Sequence, residues 1–291
     1  MAGETTTSSL NDLIQTEQIS KIILDPNRPA SVHQLIAWLC DASKGLSEVY
    51  QFPRWDKVDM PAGAKTEGTG VFTITEQTTS SATATAGMVG IGVELTDEAG
   101  QDAALALASL IMLNEGMGAE RITKDLVGLF TSATNTTNVG NAAFDLTQWG
   151  IAKAAFKAQN PVGARLAYVG SNASIRDLEA ALRSAGASIN ANPLYIDGKL
   201  INNPGQGYKG MFEGIEVYET GLCPDNDADT ISTAFIVAGD RGALGLAVWM
   251  PWHHEVFRNS AAATNELYTS ARYGVAITNQ ANIREVISQD N

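Results

Sequence analysis

Residues 73–87, TITEQTTSSATATAG, alternate Thr and Ser with small or β-branched residues and contain almost no large apolar side chain. β-branched residues favour strands, but a two-stranded ribbon that buries so little is marginally stable in water. The surrounding stretch 47–92 has the same strand character and is broken by turns at 61–63 and 67–70. We therefore predict a long β-hairpin, called the ribbon below, that becomes stable only against another surface.

The charge of the chain limits its partners. The 291 residues include 32 acidic and 19 basic side chains, which gives a formal net charge of −13. Such a balance is unsuited to neutralising nucleic-acid phosphates, so any DNA contact is expected to be local and weak. A hydrophobic content of 44% is sufficient for a packed core in one large domain or two modest ones.

Cysteine spacing and hydropathy exclude several further classes of protein. Cys40 and Cys223 form no CxxC or Cys/His spacing, which indicates a reducing compartment. The first residues, MAGETTTSSLND, lack the basic start and apolar block of a secretory signal. The longest apolar run, 103–113, is about half of the ~20 residues that a membrane span needs. We expect no membrane partner.

Two helical segments are predicted before the ribbon. Ser9 can cap an amphipathic segment that reaches Leu24, where the sequence DPNRP breaks it. A second helix is predicted from Ser31 to Gly45. Its apolar stripe would comprise Val32, Leu35, Ile36 and Leu39.

A long helix is predicted after the ribbon. Thr96 is a suitable cap, and helix-compatible residues continue to about Phe130, with a bend expected near Gly116. An α/β unit follows the loop 131–143, with helices beginning at Asp145 and Ser174 on either side of a strand at 165–169. Further strands are predicted at 214–220, 233–239, 244–250, 267–277 and 282–288. The fold class is α+β, without a regular βαβ repeat.

No motif predicts a catalytic, cofactor or metal site. Asp225, Asp227 and Asp229 resemble a calcium loop, but the expected Gly is Thr230 and the expected Glu is Ile236. These residues are therefore interpreted as a solvated acidic loop. His253 and His254 are adjacent, and neighbouring residues of a strand point to opposite faces, so packing or a subunit contact is favoured over a shared metal.

Phosphate and nucleophile motifs are also weak. The glycines of GMVGIG, 87–92, have the wrong spacing for a phosphate loop and are interpreted as points of strand flexure. The stretch GSNAS, 170–174, could hold an anion before a helix, but ordinary capping is the commoner explanation. No GxSxG is present and the chain has three histidines, so the chain is not predicted to be an enzyme.

Several stretches and their order carry a resemblance to one family. They are FPRWDKVDMPAGAKTEG, VGIGVELTDEA, ERITKDLVGLF, ARLAYVGSNASIRDLEAAL, GMFEGIEVYET and RYGVAITNQANIREVIS. An arm, a ribbon, a long helix and an α/β lobe in this succession resemble the major capsid protein of tailed bacteriophages, which has the HK97-like fold. The resemblance covers nearly the whole chain.

The resemblance implies a division of the chain into six parts. They are an N-terminal arm at 1–46, the ribbon or E-loop at 47–92, the spine helix of the P-domain at 93–131, the A-domain at 132–241, P-domain strands at 242–277, and a C-terminal strand returning to the A-domain at 278–291.

The resemblance also implies a function and partners. The chain would assemble into hexamers and pentamers of an icosahedral shell around double-stranded DNA, in the capsid of a virion formed in the bacterial cytoplasm. Its partners would be further copies of itself, a portal protein, a scaffolding protein and a decoration protein, and the packaged DNA would be contacted weakly. The residues implied at subunit interfaces are Arg54, Trp55, Lys57, Lys65, Glu67, Thr75, Glu76, Glu120, Arg121, Lys124, Trp252 and His253.

Three other interpretations compete with this one. An encapsulin-type nanocompartment has the same fold and would bind a cargo peptide instead of a genome. A soluble α+β hydrolase would leave the Thr-rich strands exposed, although no acid/base constellation supports it. A ring-forming tail-tube protein is also rich in strands, but the long helix and the α/β lobe argue against it.

Overall fold

The computed structural model describes residues 4–5, 31–45, 47–56, 76–98, 106–139, 144–157, 164–184, 207–227 and 230–289. Its helices are α1 (His33–Ile36), α2 (Ala106–Gly128), α3 (Leu146–Lys157) and α4 (Asn172–Ser184), with 3-10 turns at Leu129–Ser132 and Gln280–Asn282. Its strands are β1 (Glu4–Thr5), β2 (Ala37–Asp41), β3 (Val49–Trp55), β4 (Thr79–Thr85), β5 (Gly87–Thr96), β6 (Thr136–Asn138), β7 (Leu166–Gly170), β8 (Tyr208–Phe212), β9 (Ile215–Glu219), β10 (Asp225–Asp227), β11 (Thr230–Val237), β12 (Leu244–Asn259), β13 (Thr264–Ile277) and β14 (Ile283–Gln289).

A five-stranded sheet is built on the long antiparallel pair β12 and β13. The strand order is β1-β5-β13-β12-β2, and β2 runs parallel to the first five residues of β12, Leu244 to Val248. The β12–β13 register shifts between Val248 and Met250 and again between Met250 and His253. Extra residues in one strand bend it and increase its twist. The bulged region therefore separates a proximal half of the sheet, beside β2, from a distal half.

The long helix α2 packs on one face of this sheet. Ile122, Leu126, Val127 and Phe130 are buried in a core that also contains Leu246 of β12 and residues of β13. The helix is continuous through Gly116, and a 3-10 turn follows it. The prediction of a long helix ending near Phe130 is thus confirmed for the residues that the structure describes.

A second sheet holds the α/β lobe. Its order is β6-β14-β11-β7-β9-β8, with β10 paired to β11. Helices α3 and α4 cover one face, where aromatic side chains form the centre of a core. The other face joins the core beneath α2, so the two sheets share one apolar junction. The aromatic core residues are Phe144, Trp149, Phe156, Tyr168, Phe212 and Phe235.

Two predicted elements differ from the structure. The helix expected from Ser31 to Gly45 is a single turn, α1, followed by the strand β2. The free edge of β12 supplies hydrogen bonds for this segment, and Trp38 and Cys40 pack beside the ribbon, so tertiary pairing overrides the helical pattern. The second difference is the cap of α4.

The cap of α4 lies earlier than the sequence suggests. The helix begins at Asn172, and the Oγ of Ser171 accepts a hydrogen bond from the backbone N–H of Ser174 at 3.0 Å. Ser171 is therefore the N-cap, and the helix begins two residues before Ser174, where the sequence predicts its start. The predicted strands at 214–220, 233–239, 244–250, 267–277 and 282–288 are confirmed as β9, β11, β12, β13 and β14.

Candidate subunit interface

Strands β3 and β4 of the ribbon form a separate two-stranded sheet, whereas β5, the last strand of the predicted stretch 47–92, pairs with β13 in the five-stranded sheet, and the name ribbon is kept below for the part before β5. Its strands β3 and β4 pair antiparallel, from Val49 opposite Thr85 to Trp55 opposite Thr79. Most of its side chains are exposed, and Trp55 is 71% exposed. Because two strands alone are marginally stable, the ribbon needs an anchor.

The base of the ribbon is anchored on the proximal half of the five-stranded sheet. Phe52 is 1% exposed and packs in a cluster with Ala84, Ala247 and Ala276. A Cβ on Gly245 would lie 2.6 Å from the Phe52 ring, so this glycine makes room for the aromatic side chain. The indole N–H of Trp249 donates to the carbonyl of Ser47 at 2.8 Å. The ribbon is therefore fixed at its base, while the end bearing Trp55 is exposed.

The distal half of the same sheet has an exposed face, which we call the distal face. Cross-strand partners share a face of a sheet. Glu255 lies opposite Tyr268, Tyr268 lies opposite Gly92, and Phe257 lies opposite Glu266. Phe257 and Tyr268 are 52% and 45% exposed. The distal face comprises Gly90, Gly92, Glu94, His253, Glu255, Phe257, Glu266 and Tyr268.

Aromatic and acidic groups are held in place on the distal face. The Phe257 and Tyr268 rings meet edge to face with centroids 5.9 Å apart. Tyr268 donates its hydroxyl proton to Glu266 at 2.7 Å, and its ring fills the position that a Cβ on Gly92 would take. The hydrogen bonds from Tyr268 and Asn259 lower the pKa of Glu266. The distal face is thus an acidic surface with a preformed aromatic pair.

The opposite face of the distal half is occupied by α2. Asn114, 2% exposed, donates to Thr269 at 3.0 Å, and His254 contacts both Thr269 and Glu115 of the helix. Trp252 packs against Gly118. Because this face is packed, the distal face is the side on which a further element can lie.

The residues implied at interfaces by the resemblance fall into three groups: those engaged within the subunit, those at or near the surface, and those outside the described residues. Arg54 donates to Ser80 at 2.6 Å and to Asn279 at 2.5 Å, so its guanidinium is engaged within the subunit. Arg121 pairs with Asp125 on α2 at 3.1 Å. Trp252 is packed on α2. Trp55, Glu76, Lys124 and His253 are exposed, Glu120 is half-buried, and Lys57, Lys65, Glu67 and Thr75 lie outside the described residues.

The sequence does not predict that Phe257, Tyr268, Gly90 and Gly92 form one exposed surface. GMVGIG was interpreted as points of flexure, whereas Gly92 provides space for the Tyr268 ring. The alternation of EVFRN and NELYT across β12 and β13 is the signal that could have indicated an exposed aromatic face.

The other candidate sites are ordinary structural features. Asp225 is exposed in β10, and His253 and His254 point to opposite faces of β12. Within the part of the chain that the structure describes, no group of three or more His, Cys, Asp or Glu side chains is placed to hold a metal ion. No helix among the described residues is long and apolar enough to cross a membrane.

The fold is shared with solved capsid structures. A chain of the cyanophage Pam1 capsid superposes on this chain with a TM-score of 0.67 at 14% identity. The similarity covers 100% of this chain and 99% of the Pam1 chain. The capsid of Ralstonia phage GP4 gives a TM-score of 0.66 at 11% identity, over 95% of this chain and 96% of the other. The capsid of a native GTA particle gives a TM-score of 0.64 at 15% identity, over 98% of this chain and 99% of the other.

No protein-family model and no curated protein sequence matches the chain. At 11–16% identity the likeness to solved structures establishes the architecture, and it extends over nearly all of each chain. The chain therefore has the HK97-like fold that its sequence resembles, with a mixed α+β architecture.

Proposed function

We propose that the chain is the major capsid protein of a tailed bacteriophage, which assembles into hexamers and pentamers of an icosahedral shell. The observation that carries the proposal is the full-length match to chains of phage capsids, with no large part of either chain left over. A structural role, without catalysis, is the consequence. A shell that encloses double-stranded DNA would hold it loosely, which suits a net charge of −13.

The ribbon and the distal face supply a physical basis for assembly. The ribbon exposes the Trp55 indole at the end of β3, and the distal face exposes two aromatic rings. Ribbon residues Lys57 and Lys65 are cations, whereas the distal face bears Glu94, Glu255 and Glu266. The ribbon of one subunit would lie on the distal face of its neighbour, burying apolar surface on both. Contacts of this heterologous kind generate rings when the rotation closes.

The partners and location follow from the same proposal. A portal protein and a scaffolding protein would be needed to build a DNA-filled head, and a decoration protein could bind its outer surface. Assembly would take place in the cytoplasm of the bacterial host, and the mature protein would be in the virion capsid. The six parts of the chain implied by the resemblance are proposed with the same boundaries. In that division the last strand, β14, belongs to the α/β lobe, beside β11.

Negative-stain electron microscopy with size-exclusion chromatography tests the proposal. The chain expressed alone is expected to form shells or rings with fivefold or sixfold symmetry. Co-expression with a matched scaffolding protein is the second arm, since some capsid subunits require one. A chain that stays monomeric in both arms, at concentrations up to about 1 mM, would contradict the proposal.

The second candidate is the shell of an encapsulin-type nanocompartment, because the same fold serves both. Particles purified from the expression host separate the two functions. A shell that retains a specific folded enzyme through a terminal peptide would favour the compartment. A shell that packages DNA when a portal and packaging motor are supplied would favour the capsid.

A further inference from the structure

His33 is a buried histidine where the N-terminal part of the chain meets the long helix. It lies in α1, directly before the edge strand β2, and is 8% exposed. Val32 and Ile36 on the same turn are fully buried, and they share a core with Leu126 and Val127 of α2. The imidazole is therefore a polar group buried beside apolar side chains of α1 and α2.

The hydrogen bonds of Thr123 determine which ring nitrogen carries the proton. The Thr123 hydroxyl donates its single proton to the carbonyl of Ala119 at 2.9 Å. It therefore accepts from Nδ1 of His33, which lies 3.2 Å away. The neutral ring with a proton on Nδ1 satisfies this arrangement, and Nε2 needs no proton.

Among the described residues, no carboxylate is hydrogen-bonded to His33 that could balance the charge of an imidazolium. His33 lines a cavity of about 610 Å³ together with Cys40 and Asp41 of β2 and Tyr273 of β13. Asp41 is exposed and accepts a hydrogen bond from the backbone N–H of Ser43 at 2.9 Å. Charged groups on the neighbouring described elements are Glu120, Lys124 and Asp125 on α2, of which Asp125 accepts from Tyr273; Arg165, which donates to the Leu35 carbonyl; and Asp240, whose charge acts on Cys40.

A second proton on the ring would place a cation in this junction. Within the described ranges, Thr123 is the polar partner of the imidazole, and it has no negative charge. Burying an unpaired charge is costly, and burial accordingly lowers the pKa of His33. The apolar contacts of α1 and the hydrogen bond to Thr123 therefore favour the neutral ring.

We propose that His33 is an acid-sensitive latch that holds α1 and β2 on the long helix while its ring is neutral and releases them when its ring is protonated. A histidine whose pKa is lowered by folding contributes stability above its unfolded value of about 6.5 and loses that contribution as the pH falls. The latch bears on the sheet because β2 follows α1 directly and pairs with β12. It does not depend on the proposed assembly.

Thermal unfolding of the full chain at several pH values tests the latch. Between about pH 7.5 and pH 5.5, the Tm of the wild type is expected to fall at least ~2 °C further than the Tm of His33→Gln, which has no second proton to gain. His253→Gln, at an exposed histidine of β12, is the matched control and should follow the wild type. An equal fall in Tm over this pH range in the wild type, His33→Gln and His253→Gln would overturn the proposal.

Two measurements keep the test decisive if His33→Gln folds poorly. The chain has three histidines, so the imidazole signals of the wild type can be assigned by NMR with His253→Gln and His254→Gln. The His33 signal is expected to titrate below about pH 6.5. Amide exchange of 37–41, corrected for the intrinsic rate, should accelerate at low pH. A His33 signal that titrates like a peptide histidine, or unchanged exchange at low pH, refutes the latch.

Discussion

At the scale of single residues, Gly118 lies where α2 packs closely on Trp252 of β12. A Cβ at this position would collide with the Trp252 indole, meeting Cδ2 at 2.9 Å and two further ring atoms at shorter distances. The helix propensity of Ala is better than that of Gly by about 1 kcal/mol, but overpacking costs ~1–3 kcal/mol. The glycine is therefore explained by the aromatic ring that it accommodates, and not by flexibility of the helix.

Gly118→Ala is expected to lower the free energy of unfolding by about 1–2 kcal/mol, because the indole must move. Gly128→Ala is the matched control, since no atom lies within 4 Å of a Cβ at that helical glycine. It should stabilise the chain by up to ~1 kcal/mol. Urea unfolding of both variants measures the difference. Equal stabilities would show that Trp252 does not limit this position.

Glu285 is a second residue whose environment sets a measurable property. It is 3% exposed in β14, and Ser232 donates to its carboxyl group at 2.6 Å. Burial raises the pKa of Glu285, and the hydrogen bond from Ser232 offsets part of this. A carboxyl group with a raised pKa costs stability when it is ionised.

Glu285→Gln is therefore expected to be as stable as the wild type near pH 4, below the unfolded value of about 4.3, and more stable at pH 7. The difference in stability between Glu285→Gln and the wild type should grow as the pH rises through the pKa of Glu285 in the folded chain, and then level off. Glu76→Gln, at an exposed ribbon position before β4, should show no such divergence. Denaturation midpoints of the wild type and Glu285→Gln, measured between about pH 4 and pH 7, test this direction. A stability advantage of Glu285→Gln that shrinks with rising pH would contradict the prediction.

At the scale of elements, the ribbon combines an anchored base with an exposed end. Trp55→Ala should change the free energy of unfolding by no more than about 0.5 kcal/mol, since the indole is exposed, yet it should weaken assembly. Phe52→Ala is the contrasting variant, with an expected loss of about 3–5 kcal/mol because Phe52 fixes the base. Unfolding curves and particle yield measured together distinguish the two roles. Unimpaired assembly of Trp55→Ala would remove Trp55 from the interface.

Elements with strong local patterns could be predicted from the sequence. The long helix, the two helices of the lobe and five late strands are predicted correctly, because their residue periodicity agrees with their tertiary environment. The segment 31–45 was assigned wrongly, since its strand β2 depends on the edge of β12 about 200 residues later. Local sequence does not encode that partner.

The candidate interface was predictable only in part for the same reason. The small number of large apolar side chains in the ribbon indicates that it needs a partner surface. The exposure of Trp55 agrees with this prediction. The distal face depends on the register between β12, β13 and β5, which places Phe257, Tyr268 and Gly92 together. Arg54 was an interface candidate by residue type, but its bond to Asn279 depends on a contact distant in sequence.

At the scale of the whole molecule, the proposed assembly gives each subunit one donor surface, the ribbon, and one acceptor surface, the distal face. The ribbon packs on the proximal half of the five-stranded sheet and the distal face belongs to the distal half, so a single copy can use both at once. A ring requires every subunit to do so. Replacing residues 57–75 by a short Gly-Ser turn retains β3 and β4 but removes the far end of the ribbon. The shortened chain should fold with unchanged Tm and form no shells, and full-sized particles would refute the donor role.

Mixing two defective chains separates pairing from ring closure. Tyr268→Arg places a bulky cation on the distal face, so this chain should donate its ribbon but accept none. The ribbon-shortened chain should accept but not donate. Because the mixture can make only one of the two contacts of each subunit, it should yield one-to-one complexes and no rings. Light scattering coupled to chromatography measures this outcome. Rings in the mixture would mean that a contact outside the ribbon and the distal face is sufficient to close the assembly.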